Sequence, residues 1–539
     1  MVTPSTSQVS KTETGKDLLS ATLSSTTTPT VPATTTTNWA SVLQSSAPIV
    51  NKKIVKHIRN KSSISSSTSS SLLPSNPSTP IQPSKSSSLN IPNNFNINNE
   101  SSQPLGVLLL RVMYDTNYSL FSDRLSLFNI TTKGLTNTGN ICYMNSILQI
   151  LIYCEPFNRL FKLIEDKSIG NLSKTSPTPL LDATIKFINE FVDLPSSQND
   201  VKKSDESPKA ISPETFYMNL INHKKFSHLK WGQQEDAEEF LGYYLDGLNE
   251  EFVDAIKKLN TPNIDSLIQN FSNNCDDVEK VSQFKYNVKT TVNLIKNEKK
   301  SKSNGNNDDD GWNEVGSNNK SISINKAVEV EPSPINLIFG GQFKSVLTIP
   351  KSPNSNQFKK SITFDPFQNL QLDISEANSI EDAFNHLNDI EKISFKASKQ
   401  DKEIQIKKQT FIDKLPQVLI IHLKRFSFLK EKDVGIEKLR KRVDYNHDLN
   451  IPTNILSNKG LSEEMGNIYR LIGVVYHHGS SAEGGHYTCD VLKKSNTITN
   501  KVEWVRIDDT LIKTISEDEV LGGPEENIKN AYILLYERK

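Results

Sequence analysis

The chain has 539 residues, and its 62 lysines and arginines balance 62 aspartates and glutamates, which argues against the basic footprint of a nucleic-acid or anionic-membrane binder. Hydrophobic content of 35% is low for a chain folded throughout, so a sizeable part is expected to stay unfolded. The four cysteines, Cys142, Cys154, Cys275 and Cys489, include no closely spaced pair; this removes zinc ribbons and redox C-x-x-C motifs and indicates a reducing compartment.

No stretch approaches the roughly 18 apolar residues of a membrane span, and no basic-then-apolar leader opens the chain. The expectation is a protein without membrane insertion, cytoplasmic, with the nucleus as a second location. Residues 1–105 are expected to be disordered: Ser, Thr, Asn and Pro dominate, as in Ser24–Thr30 and Ser65–Ser71, and such a composition buries too little apolar surface to offset chain entropy. Within it, Lys52, Lys53, Lys56, Arg59 and Lys61 read as a solvated charge run ahead of a nuclear-import signal. Order is expected to begin near Pro104–Val112, a short apolar run.

From Gly134 the pattern is loop chemistry followed by a helix. Gly134, Asn137, Gly139 and Asn140 permit tight turns and positive φ. Met144, Ile147, Leu148 and Leu151 then recur at helical spacing. Cys142 stands at the junction, in the first turn, where unpaired N–H groups and the helix dipole favour thiolate over thiol. A buried structural thiol is the ordinary reading of a lone cysteine, and the glycine-bracketed helix start weighs against it. The helix is expected to reach about Cys154, with Pro156 closing it.

Residues 174–212 are polar and interrupted by proline, with 195–213 expected as a surface loop. The next helix spans Gly232–Phe252 and buries Ala237, Phe240, Leu241, Tyr244, Leu245 and Leu248. Asp236 and Glu239 share a face near its start, either complementing the dipole or meeting a basic ligand. Residues 297–332 are rich in Lys, Asn, Ser and Asp, and are expected as a disordered insertion. Strand patterns follow at Phe339–Ile349, Phe367–Ile374, Gln417–Phe428, Leu471–Tyr476, His486–Val491, Trp504–Ile507 and Ala531–Tyr536. His422 is expected as a satisfied sheet histidine. Gly484 and Gly485 close the loop from His477 and leave the backbone beside His486 open to close approach.

A cysteine nucleophile needs a base, a group that orients the base, and donors for the oxyanion. Cys142, His486 and Asp508 supply the first three, with His486 and Asp508 at the ends of neighbouring strands of one antiparallel sheet. Asn137, on the tight loop, and the Cys142 backbone N–H supply the donors.

These residues carry a resemblance. Gly134–Gln149 resembles the cysteine box of the ubiquitin-specific proteases, a family of cysteine deubiquitinases; Tyr476–Gly479 with Gly484–Tyr487 resembles their histidine box, and Trp504–Asp509 their acidic box. Gln234–Leu241, Phe339–Ser345, Leu415–Phe426 and Ala531–Tyr536 are similar to further blocks in family order. The similarity spans residues 131–539, the expected catalytic domain, and is closest to a branch working with an RNA-binding cofactor protein that carries an NTF2-like domain.

The resemblance implies an α+β, papain-like right-hand fold: a helical thumb carrying Cys142, a β-sheet palm carrying His486 and Asp508, and β-strand fingers. It implies a thiol-dependent ubiquitinyl hydrolase that removes ubiquitin from protein conjugates, with Asn137 at the oxyanion and Asp509 assisting through a water. Asp236 and Glu239 would meet arginines of ubiquitin, and Gly484 and Gly485 would close over its tail. Many relatives hold zinc in the fingers through two cysteine pairs; with only Cys275 in that region this chain is expected to hold no metal there, and no other cofactor is implied. Ile141 and Glu235 depart from the usual motifs without touching the chemistry. Phe95 is the lone phenylalanine of the first hundred residues, so no Phe-Gly docking peptide stands out. The rival readings are a catalytically silent ubiquitin-binding scaffold and a protease for a different ubiquitin-like modifier.

Overall fold

The computed structural model describes residues 101–122, 130–169, 176–192, 209–303, 312–315, 323–327, 330–350, 358–396, 403–428, 436–462, 466–479, 484–494, 502–522 and 530–539. The chain divides into two units, Met1–Ser88 and Leu89–Lys539. The first unit, with its basic cluster at 52–61, lies outside the described residues, as do residues 89–100.

The helical part begins with strand β1 (Gln103–Pro104) and helix α1 (Leu105–Tyr114), where order was expected to start. It continues with α2 (Cys142–Ile152), α3 (Glu155–Lys167), β2 (Ser168–Ile169), α4 (Pro179–Asn189), α5 (Glu214–Ile221), α6 (Ala237–Lys257), α7 (Thr261–Asn273) and α8 (Val278–Ser303). Helix α2 is buried on every side, not along one stripe. It lies between α6 and the sheet strands around His486, so all its faces meet protein. Pro156 does not close this helix; it sits in the first turn of α3, where a missing N–H costs nothing and the fixed φ suits helix entry. Helix α6 starts and ends five residues later than the expected Gly232–Phe252, because Asp236 is its N-cap, accepting from the Glu238 N–H at 2.7 Å. Its buried Glu251 reaches across to α4, accepting from the N–H groups of Leu180 (2.9 Å) and Leu181 (2.8 Å).

Strands β3 (Trp312–Val315) and β4 (Ser323–Ala327) precede α9 (Pro334–Phe339). The stretch 297–332, expected without structure, is therefore corrected where it is described: α8 runs on to Ser303, and the two strands pair with each other and onto β6. A sheet edge with unpaired N–H and C=O groups accepts even a polar strand, because edge pairing needs little apolar burial. Next come β5 (Gly341–Pro350), β6 (Phe358–Phe367), β7 (Asn369–Asp373), α10 (Ile380–Leu387), β8 (Glu391–Lys396), β9 (Glu403–Lys414), β10 (Val418–Lys424), β11 (Phe426–Phe428), β12 (Ile436–Lys438) and β13 (Asp448–Asn450). The chain ends with β14 (Ile468–His478), β15 (His486–Lys494), β16 (Val502–Asp508), β17 (Leu511–Ile515) and β18 (Ala531–Arg538).

Two sheets result. The larger has the order β17-β16-β15-β14-β18-β10-β7, with β13 also pairing β14; the smaller has the order β3-β4-β6-β5-β9-β8. With the helices these are the expected palm, fingers and thumb. The long strand expected over Gln417–Phe428 breaks at Arg425, whose buried guanidinium donates to the carbonyls of Ala531 (2.6 Å), Leu439 (2.9 Å) and Lys441 (3.0 Å). Cys275, assigned from sequence to the fingers, lies instead between α7 and α8.

Candidate active site

The loop before α2 is shaped by its side chains. The Ile141 N–H donates to Asn137 Oδ1 at 2.9 Å, Asn140 takes φ 56°, and Asn140 Nδ2 donates to the Gly232 carbonyl at 2.9 Å. Gly139 is required by close approach, since a Cβ there would lie 2.6 Å from the Trp231 ring. Cys142 emerges as the first residue of α2.

His486 opens β15 and Asp508 ends β16. These strands pair antiparallel through Cys489↔Ile507 and Asp490↔Arg506, so the two ends lie side by side. Beneath them Asp490, fully buried, takes a two-pronged bond from Arg506 (2.8 and 2.9 Å) and a third from the Tyr476 hydroxyl (2.9 Å), which locks both strands.

The three side chains meet. His486 Nε2 is 2.6 Å from Asp508 Oδ1, leaving Nδ1 for Cys142. The imidazole holds its proton up to about 9: a hydrogen bond with Cys142 is the largest cause, burial opposes it, and Asp508 adds to it. Burial pushes Cys154 and Cys489 well above the ordinary thiol range, which keeps them protonated and inert.

Asp509, at φ 48°, accepts from Asn137 Nδ2 on one oxygen and Asn145 Nδ2 on the other, both at 2.9 Å. It therefore touches Asn137 directly. Asn137 is held at both ends of its amide, with one Nδ2 hydrogen left over. His486, Asp508 and Asp509 bring ligand atoms within 4.8 Å of one another, but hydrogen bonds already account for each.

The remaining site residues are spread around this centre. Asp236 caps α6 and accepts from the Tyr532 hydroxyl at 2.6 Å, and Glu239 is exposed on the same helix. Gly485 lies against His477, whose Nε2 would be 2.4 Å from an added Cβ. His422 is buried with both ring nitrogens unbonded, and its ring meets Tyr532 edge-on; the expected satisfied histidine is instead an apolar, neutral one.

Residues 133–536 match the family described as ubiquitin carboxyl-terminal hydrolase. The chain is 36% identical over 502 residues to ubiquitin carboxyl-terminal hydrolase 3 of Saccharomyces cerevisiae, covering 81% of this chain and 54% of that one. It is also 36% identical to the probable ubiquitin carboxyl-terminal hydrolase 3 of Schizosaccharomyces pombe, covering 76% and 75%. The chain belongs to the ubiquitin carboxyl-terminal hydrolase family. Ubiquitin carboxyl-terminal hydrolase 10 of Gallus gallus is 34% identical, with 76% of this chain and 49% of that one covered. The chain spans about half the length of most of the curated relatives it matches. Among solved structures, the SAGA Ubp8/Sgf11/Sus1/Sgf73 DUB module bound to ubiquitin aldehyde is similar at 22% identity and TM-score 0.48, over 76% of this chain and 70% of that one.

Within this hydrolase fold, sequence reasoning missed Gln234. Its Nε2 donates to the Gly485 carbonyl at 2.6 Å and lies 3.8 Å from Cys142 Sγ, and its Oε1 accepts from the Gly485 N–H at 3.2 Å. One carboxamide thus bridges thumb and palm beside the nucleophile. Its only signal in the sequence is membership of the Gln234–Leu241 block; nothing in spacing alone links residue 234 to residue 485.

Proposed function

We propose that the chain is a thiol-dependent ubiquitinyl hydrolase, cleaving the isopeptide or peptide bond after the C-terminal glycine of ubiquitin. The observation carrying this reading is one imidazole, His486, shared between Cys142 and Asp508 where thumb meets palm. His486 holds the proton shared with Cys142 up to about 9, and the sulfur attacks the scissile carbonyl. The oxyanion meets the Cys142 backbone N–H and the remaining N–H of Asn137, which Asp509 aims. As the C–N bond breaks, His486 gives its proton to the leaving amine. His486 then takes a proton from water, whose oxygen attacks the thioester, and the glycine carboxylate and the Cys142 thiol are restored.

Asp236 and Glu239 are read as the carboxylates facing basic side chains of ubiquitin, and Gly484 and Gly485 as the flexible cover of its tail. A cofactor protein with an NTF2-like domain belongs to the same reading, supported by the wording of the sequence motifs. The cytoplasm, with the nucleus second, is its location, as the cysteine usage supports. Ubiquitin bearing a C-terminal electrophile tests the site: the expected result is an adduct on Cys142, absent in Cys142→Ala, with loss of ubiquitin-amide cleavage. An adduct on another residue, or full activity in Cys142→Ala, overturns it. Competition between tagged modifiers separates ubiquitin from its relatives, and binding without turnover marks the scaffold.

A further inference from the structure

The loop that ends at His486 is anchored at its beginning by an unusual cation. Lys438, the last residue of β12, is buried, and its Nζ donates to the carbonyls of His477 (2.8 Å) and Gly479 (3.0 Å). Among the described residues the charges facing it are the guanidiniums of Arg425, at the β10–β11 break, and Arg440, two residues onward. Both repel it. The third titratable neighbour is His477, whose ring is pushed down to about 4 by burial first and Lys438 second, so it stays neutral.

A buried ammonium without an anion is costly, and an apolar side chain of equal length would fill the space without that cost. Burial, then Arg425 and Arg440, pull Lys438 down to about 8. A lysine held below its ordinary range lowers the stability of the folded state while it stays charged. The fold therefore keeps this cation at the expense of stability, at one particular place.

That place governs His486. His478, between the two carbonyls, is the strand partner of His486. Gly479, at φ 129°, turns the chain out of β14. Gly485, which Gln234 clamps from the thumb, rests on the His477 ring. The two carbonyls that Lys438 binds are thus the fixed end of the segment whose other end carries Gly485 and His486.

Resting on the hydrolase reading above, we propose that Lys438 is a positioning residue of the catalytic centre: its ammonium pins the His477 and Gly479 carbonyls and thereby sets His486 against Cys142. The experiment uses the full chain with Lys438→Met and Lys438→Arg. Lys438→Met is expected to lower kcat/KM on a ubiquitin C-terminal amide by about tenfold or more, the scale of a small misplacement of reacting groups, while its melting temperature is unchanged or higher. Lys438→Arg, which keeps donors for both carbonyls, is expected to restore most activity. Alkylation of Cys142 by iodoacetamide reads the same pairing without ubiquitin, and is expected to be about fivefold or more slower at neutral pH in Lys438→Met. Unchanged alkylation and turnover in Lys438→Met, or losses that track a fall in melting temperature without rescue by Lys438→Arg, overturn the proposal. Wild-type protein inactive on ubiquitin amides would count against the hydrolase reading instead, with the alkylation profiles still deciding the role of Lys438.

Discussion

At the scale of single residues, the site turns on where one proton rests. His486 has its affinity raised to about 9, by Cys142 first and with Asp508 adding to it. A histidine raised above its unfolded value contributes stability that is fully present below about 6.5 and is lost as pH climbs through about 9. In the proposed mechanism the same titration removes the acid that protonates the leaving amine. Asp508→Asn is therefore expected to move the alkaline limb of kcat/KM to lower pH and to reduce kcat by about a hundredfold or more, since the imidazole loses both its partner charge and its orientation. A pH–rate profile of this variant beside wild type checks it. Asn137 is the contrasting residue: its place five before Cys142 marked it for the oxyanion and its bond from the Ile141 N–H is local, while the Asp509 bond that aims its amide comes from 372 residues away.

At the scale of elements, helix ends decide more than helix bodies. Helix α4 begins with Pro179, Leu180 and Leu181 and has no capping side chain of its own; α6 supplies one through Glu251. Burial raises this carboxyl to about 7. A raised acid contributes stability that is fully present below its ordinary value of 4.5 and is lost as pH rises through about 7. Glu251→Ala is expected to lower the unfolding free energy by about 1–3 kcal/mol through two orphaned N–H groups, with the gap to wild type narrowing as pH rises through 7. Urea unfolding at several pH values measures both. The elements misjudged from sequence share one cause. Pro156 and Arg425 are local breakers whose direction depends on surroundings: Pro156 starts a helix because Cys154 turns the chain first, and Arg425 interrupts a strand because three carbonyls converge on it.

At the scale of the molecule, polar bonds across long sequence separations join thumb and palm. Tyr532, in the C-terminal strand, donates to Asp236 at the start of α6, 296 residues away. Tyr532→Phe is expected to lower stability by about 1 kcal/mol, and to cost nothing further in an Asp236→Ala background; a double-mutant cycle of denaturant midpoints tests the coupling. The Gln234 bridge to Gly485 spans 251 residues and belongs to the same class. The six-stranded sheet stands without any cysteine among its strands, so its cohesion is strand pairing and apolar contact.

By itself the sequence marked the local elements of the site: a glycine-bracketed helix start at Cys142, alternating strands at His486 and Asp508, and a helix with Asp236 and Glu239 on one face, all set by turn propensity and side-chain period that act within about ten residues. What only the tertiary structure decided is which distant polar groups share an atom's reach: Asp509 with Asn137, Gln234 with Gly485, Glu251 with α4, Lys438 with the loop before His486. Such pairs carry no periodic signal, because a hydrogen bond depends on a few ångströms in space that chain closure, and not local propensity, fixes.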